Sequence, residues 1–340
     1  MRIRGGRIAA IRGSAPRGAR AIRLHGSYLA PGFIDLHLWG DPWVVSRESA
    51  THGATAFLTT VGPDAPQRLA AQVAVRAAAR HLPGAECLGI HAEGPFLNPV
   101  RGGALPRRGM RRPSVAELGR LARRAGHRLK LITLAPELPG ALQAIRWCRR
   151  RGIVASLGHS NADAKAARRA VDAGAVAVTH VFNGMRAYHH RAPGLLDVAL
   201  TDPRLTTMVI ADGVHVSPDA FRLLVRAKGA RRVALVTDSI RHQGWDVTAR
   251  GGAYYTRNGV LAGSRLTMIE AVRNAVDFGG VSLGDAVCMA SEVPARLLGL
   301  RSRGTLAAGK RADLVAFDRR FRVLLTIVGG RVVYQRGHNQ

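Results

Sequence analysis

Acidic residues and histidines stand at or near the ends of most apolar runs in this chain: His37, His91 and Glu93, His159, His180, Asp212 and Asp238. Burying so many titratable groups is costly unless something pairs with them. A metal ion would pair with several at once. Glu93, His159 and His180 offer one carboxylate and two imidazoles, a natural donor set for a divalent cation that leaves positions open for water and substrate. Asp238 ends the last such run, where a carboxylate can take a proton from water and pass it to a departing amine. Together these residues suit hydrolysis of an amide, which needs an activated water, a polarised carbonyl and a proton for the leaving nitrogen. Each has a plainer reading alone. Glu93 suits a helix cap or an ion pair, His159 a cap for a helix near Asn161, and Asp238 a partner for loop amides. Their recurrence at successive run ends favours the metal reading. His91, two residues before Glu93, faces the same side of its strand and supports the ligand from behind.

The elements that must carry these residues are legible as strands over 33–37, 54–61, 87–93, 129–134, 153–159, 175–180, 207–212 and 233–238. Helical patterns over 66–81, 114–125, 140–151, 162–173 and 218–227 lie between many of them. Apolar strands alternating with helices predict a parallel sheet. About eight such units predict a closed (β/α)8 barrel of the TIM type, whose active site lies at the C-terminal strand ends. An open doubly wound sheet is the alternative, but the Gly-rich phosphate loop after its first strand is missing. The segments MRIRGGRIAAI, AIRLHGSYLAPG, ADLVAFD and LLTIVGGRVVYQRG are short, strand-like and punctuated by Gly. They predict a small β-sandwich domain from residues 1–32 and 303–340, with the catalytic barrel spanning 33–302.

At 340 residues and 47% hydrophobic composition, a large core forms without disulfides. Cys87, Cys148 and Cys288 are widely spaced and odd in number, which fits reduced thiols in the cytoplasm. The basic N-terminus lacks the apolar stretch of a signal peptide, and no run approaches a membrane span. The formal charge is +29, carried almost wholly by arginines spread along the chain. With few aromatics, this reads as a compositional bias that steers an anionic metabolite, rather than a nucleic-acid surface.

The motifs PGFIDLHLWG, GIHAEGPFLNP, LGHSNADA, VTHVFNGMRAYHHRAPG, VIADGVHVSP, LVTDS, LAGSRLTMIEAVRN and GTLAAGKRADLVAFD follow one another from Pro31 onward. In this order they resemble the N-acetylglucosamine-6-phosphate deacetylases of the amidohydrolase superfamily. The resemblance implies one divalent metal per subunit, zinc or else iron or another such ion, held by Glu93, His159 and His180. It makes Asp238 the catalytic acid and base. It places Ala104, Asn183, Gly184 and His215 against the substrate, with Leu261, Ala262 and Gly263 as a loop lining the sugar pocket. Arg191 would reach the phosphate in the neighbouring subunit of a homodimer.

Three departures stand out. The HxH pair of the superfamily reads His37-Leu38-Trp39, which disfavours a second metal and leaves His37 near the first. The segment between Gly40 and His52 is short, so a loop near the site is reduced. Leu105 replaces a histidine that polarises the substrate carbonyl, and Leu has no hydrogen to donate. Either the metal and another group, such as His91 or His215, cover that oxygen, or the enzyme is slow on the usual sugar phosphate and built for a different amide. The expected reaction is release of acetate from N-acetylglucosamine 6-phosphate. The alternatives are N-acetylgalactosamine 6-phosphate, another N-acyl amine, or a basic barrel that only binds.

Overall fold

The computed structural model describes residues 1–12, 18–241 and 244–337. Residues 13–17 and 338–340, inside the ranges expected for the small β-domain, lie outside the described residues. The chain opens with a hairpin, β1 (Arg2–Arg4) and β2 (Arg7–Ala10), followed by β3 (Tyr28–Pro31). Eight parallel strands come next: β4 (Phe33–Leu38), β5 (Ala54–Val61), β6 (Glu86–Glu93), β7 (Leu129–Leu134), β8 (Val154–Leu157), β9 (Ala177–Val178), β10 (Thr206–Ile210) and β11 (Val233–Val236). They pair in sequence order. β4, β5, β8 and β11 are buried along their whole length, as strands must be when side chains fill a barrel on one face and helices cover the other.

Most of these strands are followed by a helix. α1 (Pro42–Thr51), α2 (Pro66–Ala78), α3 (Val115–Arg124), α4 (Ala141–Arg149), α5 (Ala164–Ala173), α6 (Leu195–Thr201) and α7 (Pro218–Lys228) alternate with them, and α8 (Met268–Asp277), α9 (Leu283–Ala290) and α10 (Glu292–Leu297) follow. Helix α5 shows how locally these are specified. Asp163 accepts from the backbone N–H of Ala166, Ala164, Ala167, Ala170 and Val171 form the buried stripe, and Gly174 ends the helix at φ +119°. The short 40–52 segment goes from β4 almost directly into α1, with Asp41 as its cap.

The sheet closes where β4 meets β11. Leu38 bridges Ser239 in parallel, Trp39 N donates to Ser239 O (3.0 Å), and Asp238 N donates to His37 O (2.9 Å). Buried Asp35 locks this seam: its Oδ1 accepts from His37 N (3.1 Å) and Thr237 N (3.3 Å), and its Oδ2 from Thr237 Oγ1 (2.6 Å). Burial pushes the Asp35 carboxyl up to about 6, against the pull of those bonds. The closure decides for the barrel over the open sheet.

Both chain ends meet in a second sheet of order β17 (Arg331–Gln335), β16 (Val323–Val328), β15 (Leu314–Phe317), β3. β3 pairs antiparallel with β15, and Ile8 of the hairpin packs on Ala312, Leu314, Ala316, Leu325 and Ile327. A further antiparallel sheet, β12 (Val247–Arg250), β13 (Ala253–Thr256) and β14 (Leu261–Ser264), was not foreseen. It corrects one expectation: Leu261, Ala262 and Gly263 lie on a strand, not a loop, because β14 pairs with β13. Among the described residues no helix is long and apolar enough to cross a membrane.

Candidate active site

The strands stop short of the residues they were expected to end on. β8 ends at Leu157, β9 at Val178 and β11 at Val236, each two residues before His159, His180 and Asp238. All three of those residues have positive φ: +46°, +29° and +49°. A left-handed backbone cannot continue a ladder, so the chain turns there and aims the side chains over the barrel mouth. Such conformations cost about 1–3 kcal/mol each for residues other than glycine, and persist where surrounding structure fixes them.

Glu93, on the last position of β6, is the centre. Its Oε1 lies 3.0 Å from His159 Nε2 and 2.8 Å from His180 Nε2, and the two imidazole nitrogens are 3.2 Å apart. All three residues are buried. His159 Nδ1 donates to Arg101 O (2.8 Å), so Nε2 is the ring nitrogen turned to Glu93, and a cation that displaces the proton it shares with the carboxylate would meet its lone pair. Among the described residues, His180 Nδ1 is buried without a partner. Two imidazole nitrogens and a carboxylate oxygen thus converge on one buried point, which is the donor chemistry of a divalent cation. Among the described residues, this is the one trio of acidic, His or Cys side chains found close enough to hold one. Burial alone would raise the Glu93 carboxyl; the charge of His37 and the bonds from His159 and His180 hold it well below the usual range. Burial lowers the His159 imidazole, but the Glu93 bond and charge raise it overall.

His37 links this trio to Asp238. Its Nε2 stands 3.3 Å from Glu93 Oε2 and 3.2 Å from Asp238 Oδ1, in ion-pair range but off the line of a hydrogen bond to either. Burial lowers the His37 imidazole, yet these two carboxylates push it up to about 9. Among the described residues, Asp238 makes no bond to loop amides through its side chain. Instead Oδ1 accepts the indole N–H of Trp39 at 2.9 Å. Nor does His159 cap α5, since Asp163 does.

The expected supporting role of His91 is redirected. Its Nδ1 donates to Leu36 O (3.0 Å), and its Nε2 accepts from Thr133 Oγ1 (2.7 Å). It packs edge-on against His37 with ring centroids 4.5 Å apart, so it braces His37 rather than bonding Glu93. Burial, then the charge of His37, holds it well below the usual histidine value, and it stays neutral. Both nitrogens are occupied, so His91 cannot cover a substrate carbonyl. His215 Nδ1 is 2.6 Å from Asp212 Oδ2, which fixes its ring and leaves Nε2 as the other ring nitrogen.

Around this centre, Asn183 and Gly184 follow His180 on a turn in which Asn183 N donates to His180 O (3.0 Å). Gly184 has φ +60°, and a Cβ there would sit 2.8 Å from His159 Nδ1. Gly263 on β14 is equally confined, since a Cβ would meet Ile240 Cγ2 at 2.8 Å and Asp238 O at 3.0 Å. Ala104 is half-buried in the loop after β6. Arg191 is exposed on the loop before α6, with Nη1 2.7 Å from His190 Nε2, and has no bond to the buried trio.

One residue was missed. Glu137, just beyond β7, accepts from Asn98 Nδ2 (2.9 Å), Asn161 N (2.6 Å) and Ser160 Oγ (2.7 Å), and so ties the loops after β6, β7 and β8 beside His159. A carboxylate just past a barrel strand is the same signal that marked Glu93 and Asp238.

The amidohydrolase family matches residues 28–333. N-acetylglucosamine-6-phosphate deacetylase of Bacillus subtilis is 36% identical over 91% of this chain and 85% of its own length. N-acetylgalactosamine-6-phosphate deacetylase of Escherichia coli O157:H7 is also 36% identical, over 94% of this chain and 90% of its own. A Mycobacterium smegmatis N-acetyl-D-glucosamine-6-phosphate deacetylase mutant, solved in complex with N-acetyl-D-glucosamine-6-phosphate, superposes with a TM-score of 0.90 at 34% identity, covering 98% of this chain and 94% of that one. The chain belongs to the amidohydrolase family, and within it to the N-acetylglucosamine-6-phosphate deacetylases.

Proposed function

We propose that this chain hydrolyses the acetamide of N-acetylglucosamine 6-phosphate to acetate and glucosamine 6-phosphate, with Glu93, His159 and His180 as metal ligands and Asp238 as the proton carrier. The observation that carries the reading is the convergence of the buried trio on one point, joined through His37 to Asp238 at the barrel mouth. A divalent cation held by the Glu93 carboxylate and the Nε2 atoms of His159 and His180 would acidify a water and polarise the acetyl carbonyl. Asp238 takes a proton from the attacking water on Oδ2, the oxygen not engaged by Trp39. As the carbon–nitrogen bond breaks, it returns that proton to the amine. Asn183, Gly184, His215, Ala104 and the Leu261–Gly263 strand hold the sugar. The expected metal is one zinc ion per subunit, a good match to two imidazoles and a carboxylate, although iron accepts the same donors. The same reading divides the chain into a barrel over 33–302 and a small β-domain from 1–32 and 303–340. The three free thiols fit a reducing cytoplasm.

The direct test is acetate release, with metal analysis, on N-acetylglucosamine 6-phosphate and its galactosamine epimer side by side. The epimer is a second reading, because an enzyme named for it is as similar to this chain as one named for the glucosamine form. A purified, metal-loaded protein that releases acetate from neither would overturn the proposal.

Arg191 extends it to a homodimer. The guanidinium is exposed, on a loop that also exposes Tyr188, and bonds His190 rather than its own trio, so it can serve a neighbour. A planar guanidinium donates two parallel hydrogen bonds to phosphate oxygens. Arg191→Ala is expected to lower kcat/KM for the phosphorylated substrate by about 10- to 100-fold, as loss of a charge-assisted bond would. The unphosphorylated sugar should be little affected. Equal losses on both substrates would reduce Arg191 to a structural role, and a monomer by light scattering would remove the cross-subunit contact.

A further inference from the structure

We propose that Trp39 is a positioning residue for the Asp238 carboxylate, and that Leu105 serves the reaction by holding the Trp39 ring in place. This rests on Asp238 being the proton carrier. The backbone brings the two side chains together. Trp39 is the first residue beyond β4, its N–H bonds Ser239 O, and the Asp238 N–H bonds His37 O, so the pairing that closes the barrel fixes both Cα atoms. The indole N–H then donates to Asp238 Oδ1 at 2.9 Å, and His37 Nε2 stands 3.2 Å from the same oxygen. Among the described residues no donor engages Oδ2. A carboxylate held by one oxygen keeps a defined plane and presents the other oxygen in one direction, as a shuttle between water and leaving nitrogen requires.

The ring is itself immobilised. Trp39 is 3% exposed and packs with Leu97, Leu105, Met110 and Ile240, while Trp245 tilts against it with ring centroids 5.0 Å apart. The far edge is equally tight: a Cβ on Gly62 would meet Trp39 Cη2 at 2.9 Å and Leu105 Cδ2 at 3.7 Å. Buried indoles take a hydrogen-bond partner, and here that partner is the proposed catalytic carboxylate. The two unusual residues at 39 and 105 therefore act together. Leu105 is no vacant donor position; it is one wall of the socket that aims the indole N–H.

Trp39→Phe deletes the N–H and keeps most of the apolar ring. It is expected to lower kcat for N-acetylglucosamine 6-phosphate by about 10-fold, the scale of one hydrogen bond to a charged group. KM should stay within about 2-fold and metal content should not change, because neither the trio nor the sugar contacts are touched. The deciding measurement is a double-mutant cycle with Asp238→Asn. If Trp39 works through the carboxylate, Trp39→Phe costs nothing further once the carboxylate is gone. Two losses that multiply, or a Trp39→Phe enzyme with wild-type kcat, would overturn the proposal. Normal turnover by Asp238→Asn alone would instead remove the assignment beneath it. Should Trp39→Phe fail to fold, Gly62→Ala serves in its place, since the added methyl pushes the ring without deleting any hydrogen-bonding group. Its kcat should fall in the wild-type background and not in Asp238→Asn; an unchanged kcat would overturn the proposal.

Discussion

His180→Ala is expected to leave the protein nearly free of metal after dialysis and to abolish measurable deacetylation, while the barrel stays folded. The imidazole nitrogen it removes lies 2.8 Å from Glu93 Oε1 and 3.2 Å from His159 Nε2, at the point where the three donors meet. Two donors remain, and a divalent cation held by two protein ligands exchanges readily with chelators. Loss of a mere outer-shell partner costs about 10- to 100-fold in affinity or activity, so loss of a direct ligand must exceed that. The fold should survive because His180 sits beyond β9, outside the ladder that builds the sheet. Elemental analysis with circular dichroism checks both halves. A variant that kept one full equivalent of metal would remove His180 from the ligand set. The wild type should also lose metal on acidification. Cation binding needs neutral imidazoles, and Glu93 raises the proton affinity of His159, so protons compete from a higher pH than for an ordinary histidine.

Asp238→Asn should lower kcat by at least ~10²-fold, the lower end for acid–base catalysis, with metal content unchanged. The substitution is conservative in shape. Its amide oxygen can still accept from the Trp39 indole, so the contact at Oδ1 and the barrel seam remain. What disappears is the capacity to take a proton at the other atom and return it to nitrogen. Asp238 lies outside the Glu93–His159–His180 cluster, which is why metal should be retained. An Asp238→Asn enzyme within a few-fold of wild-type turnover would show that another group carries the proton, and His37, 3.2 Å away, would be the next to test.

Much of this was legible in the sequence because the signals are local. Strand lengths follow runs of apolar residues, and β5 and β7 have the limits that their patterns predicted. Helix starts follow caps such as Asp163 and Ser114. The alternation of strand and helix carries the barrel, since parallel strands need crossovers and eight of them can close. Polar residues ending buried runs pointed to Glu93, His159, His180 and Asp238, because such groups tolerate burial only with partners.

The remainder depended on contacts between distant parts of the chain. Nothing local says that β8, β9 and β11 stop two residues early; the left-handed turns at His159, His180 and Asp238 exist because neighbouring loops hold them. The β12–β14 sheet has a weak apolar pattern, and pairing across strands made it. His91 and Glu93 share a strand face, but Leu36 and Thr133 decided where the imidazole bonds. Trp39 and Leu105 looked like two separate losses of a histidine. They lie 66 positions apart in sequence, and only the closed barrel shows them packed together beside Asp238. Residue type and spacing determine which groups are available for chemistry; which of them touch is set by barrel closure, which brings the first and last strands side by side.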